Sequence, residues 1–202
     1  MKSLLKQVNV KLKEKGYRKK GQNFWKEING FYRLINFQKS YYGDYYFVNI
    51  GFCPIGIPQL ISDRLYIPEY PKEYECLIRQ RIEYVAKNKE IVEAFSNNLV
   101  TLEDKNISDK LPEVLATEVE EWFDSMCRYE VLLELNDEQI LQMVPVVPIL
   151  AEKENMLIKF WCYYKLGRVE EAKNALEKFK NIQVKDLSFE AVYNYMYNRI
   201  NN

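Results

Sequence analysis

The chain reads as an α+β protein, with an N-terminal helix on a small antiparallel meander sheet and a mostly helical C-terminal half. Three observations predict this. Leu4, Leu5, Val8 and Leu12 recur at helical spacing. From Gly16 to Gly51, residues alternate between apolar and polar around turn signals at Asn29-Gly30 and Gly43-Asp44. Beyond Pro112 the apolar spacing is helical almost to the end.

Residues 2–15 are predicted as an amphipathic helix, with Lys6, Lys11, Lys13 and Lys15 toward solvent. Gly16 stops it, because glycine enters the left-handed region cheaply. Phe24, Trp25 and Ile28 form a short strand that turns at Asn29-Gly30. Phe31 to Ser40 is the next strand. Phe31, Arg33, Ile35, Phe37 and Lys39 share one face, and Tyr32, Leu34, Asn36, Gln38 and Ser40 share the other. Tyr45 to Phe52 is the third strand, with Tyr46, Val48, Ile50 and Phe52 on its apolar side. Pro54, Pro58, Pro68 and Pro71 predict a loop over 54–71 with one short strand at 65–67. Residues 73–86 are expected to be helical and 99–102 to form a strand.

Pro112 is expected near a helix start, followed by Val114, Leu115, Val119, Trp122, Phe123 and Met126 at helical spacing. A short helix follows at Tyr129–Leu135, and Asn136 or Asp137 caps the next. Pro145 and Pro148 interrupt that one. Helices at about 149–166, 170–180 and 187–200 complete the chain, with Gly167 as a stop. The composition shift near 145 divides the sequence into an α+β domain, 1–144, and a helical extension expected to pack on it, 145–202.

Composition excludes several classes of function. There is no histidine among 202 residues. That removes Ser-His-Asp and Cys-His nucleophile systems, HExxH zinc sites and the commonest acid/base near neutral pH. Cys53, Cys76, Cys127 and Cys162 form no C-x-x-C pair, so neither a disulfide framework nor a thiolate zinc site is expected. No Walker, G-x-G-x-x-G, G-x-S-x-G or EF-hand pattern is present. The longest apolar run is interrupted by proline and is far below the ~20 residues that span a bilayer. No secretory signal is read at the start. The expectations are a cytoplasmic protein with no cofactor, no metal, no membrane association and no catalytic residue.

Charge is balanced overall but not along the chain. Residues 1–40 hold 11 Lys/Arg and 2 Asp/Glu, whereas residues 90–134 hold 3 and 12. Glu113, Glu118, Glu120, Glu121, Asp124 and Glu130 cluster around Trp122 and Phe123, and read as a docking face for a basic protein. Arg18, Lys19, Lys20, Lys26, Arg33 and Lys39 alternate with Tyr17, Phe24 and Trp25, the pattern of a polyanion-binding segment. The plainer alternative is that the two regions attract each other within the fold. Asn36, Gln38, Ser40 and Asn49, with Arg79 and Arg81, form a third group, a polar pocket offering both donors and acceptors.

Several of these residues fall in a pattern: Gly16-Tyr17-Arg18-Lys19-x-Gly21, Asn36-x-Gln38-Lys39-Ser40, Asn49-x-Gly51 and Cys76-x-x-Arg79-x-Arg81. Over about residues 1–140 this resembles a widespread family of small bacterial proteins carrying a domain of unknown function. The resemblance implies the fold and a bacterial origin, and carries over no catalytic residue. Some relatives look like members of toxin–immunity loci. The segment from Tyr163 through Gly167 and Ala172 to Leu176 and Phe179 resembles one tetratricopeptide repeat without a second copy, which implies a single helical hairpin.

The expected function is therefore non-enzymatic protein binding, as an immunity-type neutraliser of a basic protein through the acidic helices. The alternative is nucleic-acid binding through the basic segment. A third is an enzyme acting on a phosphorylated small molecule through Arg79, Arg81 and the amides.

Overall fold

The computed structural model describes residues 2–61, 64–97, 100–101, 105–143, 148–185 and 187–201. They form two compact units. The first comprises Met1–Phe52 and Tyr70–Ser125, and the second Cys53–Glu69 and Met126–Asn202. The α+β class holds: a helix, a five-stranded antiparallel sheet, then helices.

In the first unit, α1 (Lys2–Glu14) buries Leu4, Val8 and Leu12. It ends at Gly16, whose φ of 83° is left-handed. The sheet has the order β1 (Arg18–Lys20), β2 (Asn23–Ile28), β3 (Phe31–Lys39), β4 (Tyr46–Pro54) and β7 (Ile78–Arg81). Asn29 and Gly30 both have positive φ, at 51° and 81°, which makes the tight turn that joins β2 to β3. Register places Phe24 opposite Ile35 and Lys26 opposite Arg33, while Trp25 faces Leu34 and Asn23 faces Asn36. The two sheet faces therefore differ. One presents Phe24, Phe31, Arg33, Ile35, Phe37, Val48, Ile50 and Phe52 to the helices. Phe52 meets Trp122 and Phe123 edge-on at 5.5 and 6.4 Å. The other face carries Trp25, Leu34 and the amides, and is covered at one end by Tyr70, which stacks on Trp25.

Residues 73–86 are not the expected helix. A 3-10 turn (Glu73–Glu75) leads into β7, which pairs with β4 through Asn49–Arg81, Gly51–Arg79 and Phe52–Ile78. A second 3-10 turn (Ile82–Tyr84) and α2 (Lys89–Ser96) follow. Asn88 caps α2 through its side chain, 3.2 Å from Ile91 N. The strand expected at 99–102 falls on Leu99 and Leu102, which lie outside the described residues. Pro112 sits inside α3 (Lys105–Ala116) rather than at its start. Thr117 separates α3 from α4 (Glu118–Met126).

In the second unit, β5 (Gln59–Ile61) and β6 (Arg64–Tyr66) pair, two short strands where one was expected. Helices α5 (Tyr129–Glu134), α6 (Asp137–Met143), α7 (Pro148–Lys165), α8 (Val169–Asn181) and α9 (Glu190–Asn201) follow. Asn136 and Gln139 exchange side-chain-to-backbone hydrogen bonds at 2.9 and 3.0 Å, a reciprocal cap on α6. The composition shift at Pro145 lies outside the described residues. Helices α7 and α8 form the hairpin the sequence implied, closed at Gly167 and buried along Ala172, Ala175, Leu176 and Phe179. Lys153 is buried against it and donates to the Phe179 and Ile182 carbonyls, each at 2.7 Å, which caps the end of α8. Among the described residues, no helix is long and apolar enough to cross a membrane.

Candidate functional site

Strand alternation and register bring four amides together on the second sheet face. Asn23, Asn36 and Asn49 occupy β2, β3 and β4, with Gln38 beside them on β3. Asn36 Nδ2 donates to Asn23 Oδ1 at 2.7 Å. Asn49 Nδ2 donates to both Asn36 Oδ1 and Gln38 Oε1, each at 3.0 Å. The result is a ladder across three strands. Asn49 is buried, Asn23 and Asn36 are half-buried and Gln38 is exposed, so the ladder opens toward one end of the sheet.

Cations stand on both sides of it. Lys20 of edge strand β1 lies opposite Asn23, and Arg81 of edge strand β7 lies opposite Asn49. Lys20 Nζ donates to the Tyr70 hydroxyl at 2.7 Å. The Arg81 guanidinium lies 4.0 Å from the centre of the Phe47 ring. Its Nη1 is buried and has no hydrogen-bond partner among the described residues. Arg79 shares the face, opposite Gly51. Ser40 is buried beyond the ladder, where its Oγ accepts from Tyr42 N at 3.1 Å.

The turn between β3 and β4 carries Tyr41 and Tyr42, which are 94% and 89% exposed and meet edge-on at 5.4 Å. Tyr45 meets Phe47 in the same manner at 5.4 Å. Tyr45 and Phe47 are thus joined to Arg81, which lies opposite Asn49, while Tyr41 and Tyr42 project from the same turn. Tyr41 and Tyr42 were missed from sequence, although two aromatics directly before a Gly-Asp turn are a signal of exposed rings. Asn23 was also missed, because only register with Asn36 brings it into the ladder.

The acidic and basic groups read from sequence meet in part, through Lys26 and Arg33. The carboxylate of Glu120, 13% exposed, accepts from Lys26 Nζ at 2.6 Å, Arg33 Nη1 at 3.1 Å and the Tyr17 hydroxyl. Asp124 takes Arg33 Nη2 at 2.7 Å. Glu113 pairs with Lys11 and Glu121 with Lys87. Glu118 accepts from the Lys87 and Asn88 backbone N–H groups. Glu130 belongs to the second unit and is exposed in the first turn of α5. Of the acids proposed for docking, Glu120 therefore faces inward, and the others in the first unit have local partners.

Of the cations proposed for polyanion binding, Lys26 and Arg33 are buried against Glu120, and Lys39 pairs with Asp44. Arg18, Lys19 and Lys20 remain exposed on β1. Arg18 lies 5.0 Å from the Trp25 ring centre and Lys19 5.6 Å from that of Phe24. Those rings are buried, so they are not platforms for bases. Three cations on an edge strand also guard it against pairing with other chains.

All four cysteines are buried, and burial pushes the Cys162 thiol far above its ordinary range, with the Glu130 charge adding to the effect. That thiol is held protonated and inert. Among the described residues, no three of Cys, Asp and Glu gather as a metal-binding group. What the amide face does offer is hydrogen-bond donors and acceptors, with two flanking cations, and exposed tyrosines in the turn beside it.

No curated protein and no solved structure matches the chain. A family model does match, over residues 8–125, which takes in α1 from Val8 onward, the whole sheet and nearly all of α4. The chain therefore belongs to the family described as a domain of unknown function, DUF4304.

Proposed function

We propose that this is a non-enzymatic protein-interaction module of the bacterial cytoplasm, and that it docks its partner through the Tyr41–Tyr42 tip and the open end of the amide ladder. The observation that carries this is the pair of almost fully exposed tyrosines in the turn between β3 and β4, the strands that also carry Asn36, Gln38 and Asn49. Tyr and Arg dominate binding energy in protein interfaces, and Asn supplies adaptable hydrogen bonds around them. Four buried cysteines that form no disulfide accord with a reducing compartment. The motif residues support the same face: Asn36, Gln38, Asn49 and Arg81 are all members of it.

A pull-down from native lysate with and without nuclease, comparing the parent with Y41S/Y42S, tests the reading. The expected outcome is one stoichiometric protein that survives nuclease and is lost from the double variant. Equal capture by parent and variant, or capture of nucleic acid only, would overturn it.

The immunity-type neutraliser working through the acidic helices is the second reading. It is supported by the exposure of the Glu113, Glu121 and Asp124 side chains, at 60%, 63% and 69%. It predicts loss of the partner in E113K/E121K with Y41S/Y42S unaffected, the opposite result.

A further inference from the structure

We infer that the cavity between the end of α8 and the start of α9, in the second unit, binds a small monocarboxylate with an apolar body, held by the buried ammonium of Lys153. This is independent of the docking reading above, which concerns the first unit. Lys153 of α7 is only 5% exposed, yet it lines a cavity of about 540 Å³. Its Nζ is set in the wall, 4.3 Å from the centre of the Phe179 ring and 5.0 Å from that of Phe189, and both rings line the same cavity. Two of its three N–H groups donate to the Phe179 and Ile182 carbonyls. Among the described residues the third has no acceptor, and no carboxylate pairs with the ammonium. Carbonyls and ring faces carry partial charges only, so a full positive charge is buried here without a counter-ion. Buried charges in proteins are ordinarily paired. Burial accordingly pulls this amine below its ordinary range.

The rest of the wall selects the ligand. The volume is that of a small-molecule site. Phe179, Ile182, Val184, Leu187, Phe189 and Tyr193 line it, with Phe179 and Phe189 edge-on at 5.9 Å, so the ligand body is apolar. Gln183, Ser188, Glu190 and Asn194 also line it, but they are exposed and water can satisfy them. Glu190 stands in the first turn of α9, where an acid complements the helix dipole, and makes no ion pair with Lys153. Lys180 adds a second, exposed cation. One buried cation with one spare donor matches a single negative charge. A phosphate dianion needs more donors than this wall buries.

The test follows the Lys153 ¹³Cε resonance and the backbone amides of Ser188, Phe189 and Glu190 by NMR in the full chain. Phenylacetate is titrated in, then phenylacetamide, which has the same body without the charge, then acetate and inorganic phosphate. Phenylacetate should give saturable shifts at all four positions, with phenylacetamide about ten-fold weaker, as loss of a charge-assisted hydrogen bond implies. Acetate, which has the charge without the body, should also bind more weakly than phenylacetate. Equal affinity for phenylacetate and phenylacetamide, no saturable shift, or saturable binding of phosphate but not of phenylacetate would overturn the inference. K153M should remove the preference, bringing phenylacetate and phenylacetamide to the same affinity, whereas a variant that keeps the ten-fold ratio would overturn the role of Lys153. Lys153 also caps α8, so K153M can fail to fold. The Lys153 ¹³Cε shift in the parent chain then decides: a shift with phenylacetate that phenylacetamide does not reproduce is expected, and its absence would overturn the assignment.

Discussion

Arg33 lies 2% exposed between Glu120 and Asp124, with Lys26 sharing the Glu120 carboxylate. Removing Glu120 takes away the carboxylate that two buried cations share. E120A is therefore expected to destabilise the protein by about 3–5 kcal/mol, whereas D124A, at an exposed carboxylate, costs about 1 kcal/mol or less. Urea denaturation of the two variants checks the ranking, and equal losses would refute it. This also changes what a charge reversal at Glu120 reports: it tests folding before it tests partner binding. Gly51 and Cys76 explain each other. A Cβ at residue 51 would stand 2.9 Å from Cys76 Cβ, so β4 needs glycine where the Cys76 side chain lies against it. G51A should cost about 1–3 kcal/mol by overpacking, measured by thermal unfolding. The sequence showed both residues as parts of motifs. It did not show that they touch, because their contact depends on β7 pairing with β4.

Hairpins were the most legible elements. Asn29-Gly30 is a local instruction: both residues adopt positive φ, so the turn does not wait for tertiary contacts. Replacing Gly30 with alanine should cost about 1–2 kcal/mol, since an L side chain resists that backbone region. Y41S/Y42S, by contrast, should change stability by no more than about 0.5 kcal/mol, because exposed rings bury little on folding. A larger loss on urea denaturation would mean that the tip is part of the fold rather than free to bind. The segment 73–86 was the least legible. Leu77, Ile78, Ile82 and Val85 satisfy a helical spacing, and Ile78, Gln80 and Ile82 satisfy a strand spacing equally well. The open edge of β4 decides between them, and no property of the segment alone could do so. Pro112 misled for a related reason: proline favours a helix start, but α3 begins a full seven residues earlier and runs through it.

Across the whole molecule, charge has a structural use before any external one. Part of the +9 of residues 1–40 meets part of the −9 of residues 90–134 within the first unit, where Lys11, Lys26 and Arg33 pair with Glu113, Glu120 and Asp124. In the second unit, burial pushes the Glu154 carboxyl up to about 7, and its Oε2 has no hydrogen-bond partner among the described residues. The folded state then holds a proton that the unfolded chain releases at ordinary carboxyl pH. This group's contribution to stability is thus intact near pH 4.5 and declines as the pH rises to about 7 and above. E154Q should match the parent near pH 4.5 and exceed it at pH 8 by on the order of 2 kcal/mol, read as a flatter pH profile of unfolding. A parallel profile would refute the assignment. By itself the sequence determined the α+β class, the leading helix, the meander and its turns, and the helical hairpin near the end, since each follows from local periodicity and glycine or asparagine chemistry. Only the tertiary structure decided that β7 is a strand, that Glu120 faces inward and that four amides from three strands form one hydrogen-bonded row. Those features arise from pairing between segments far apart in the chain, where the energy lies in partners that a single stretch of sequence does not contain.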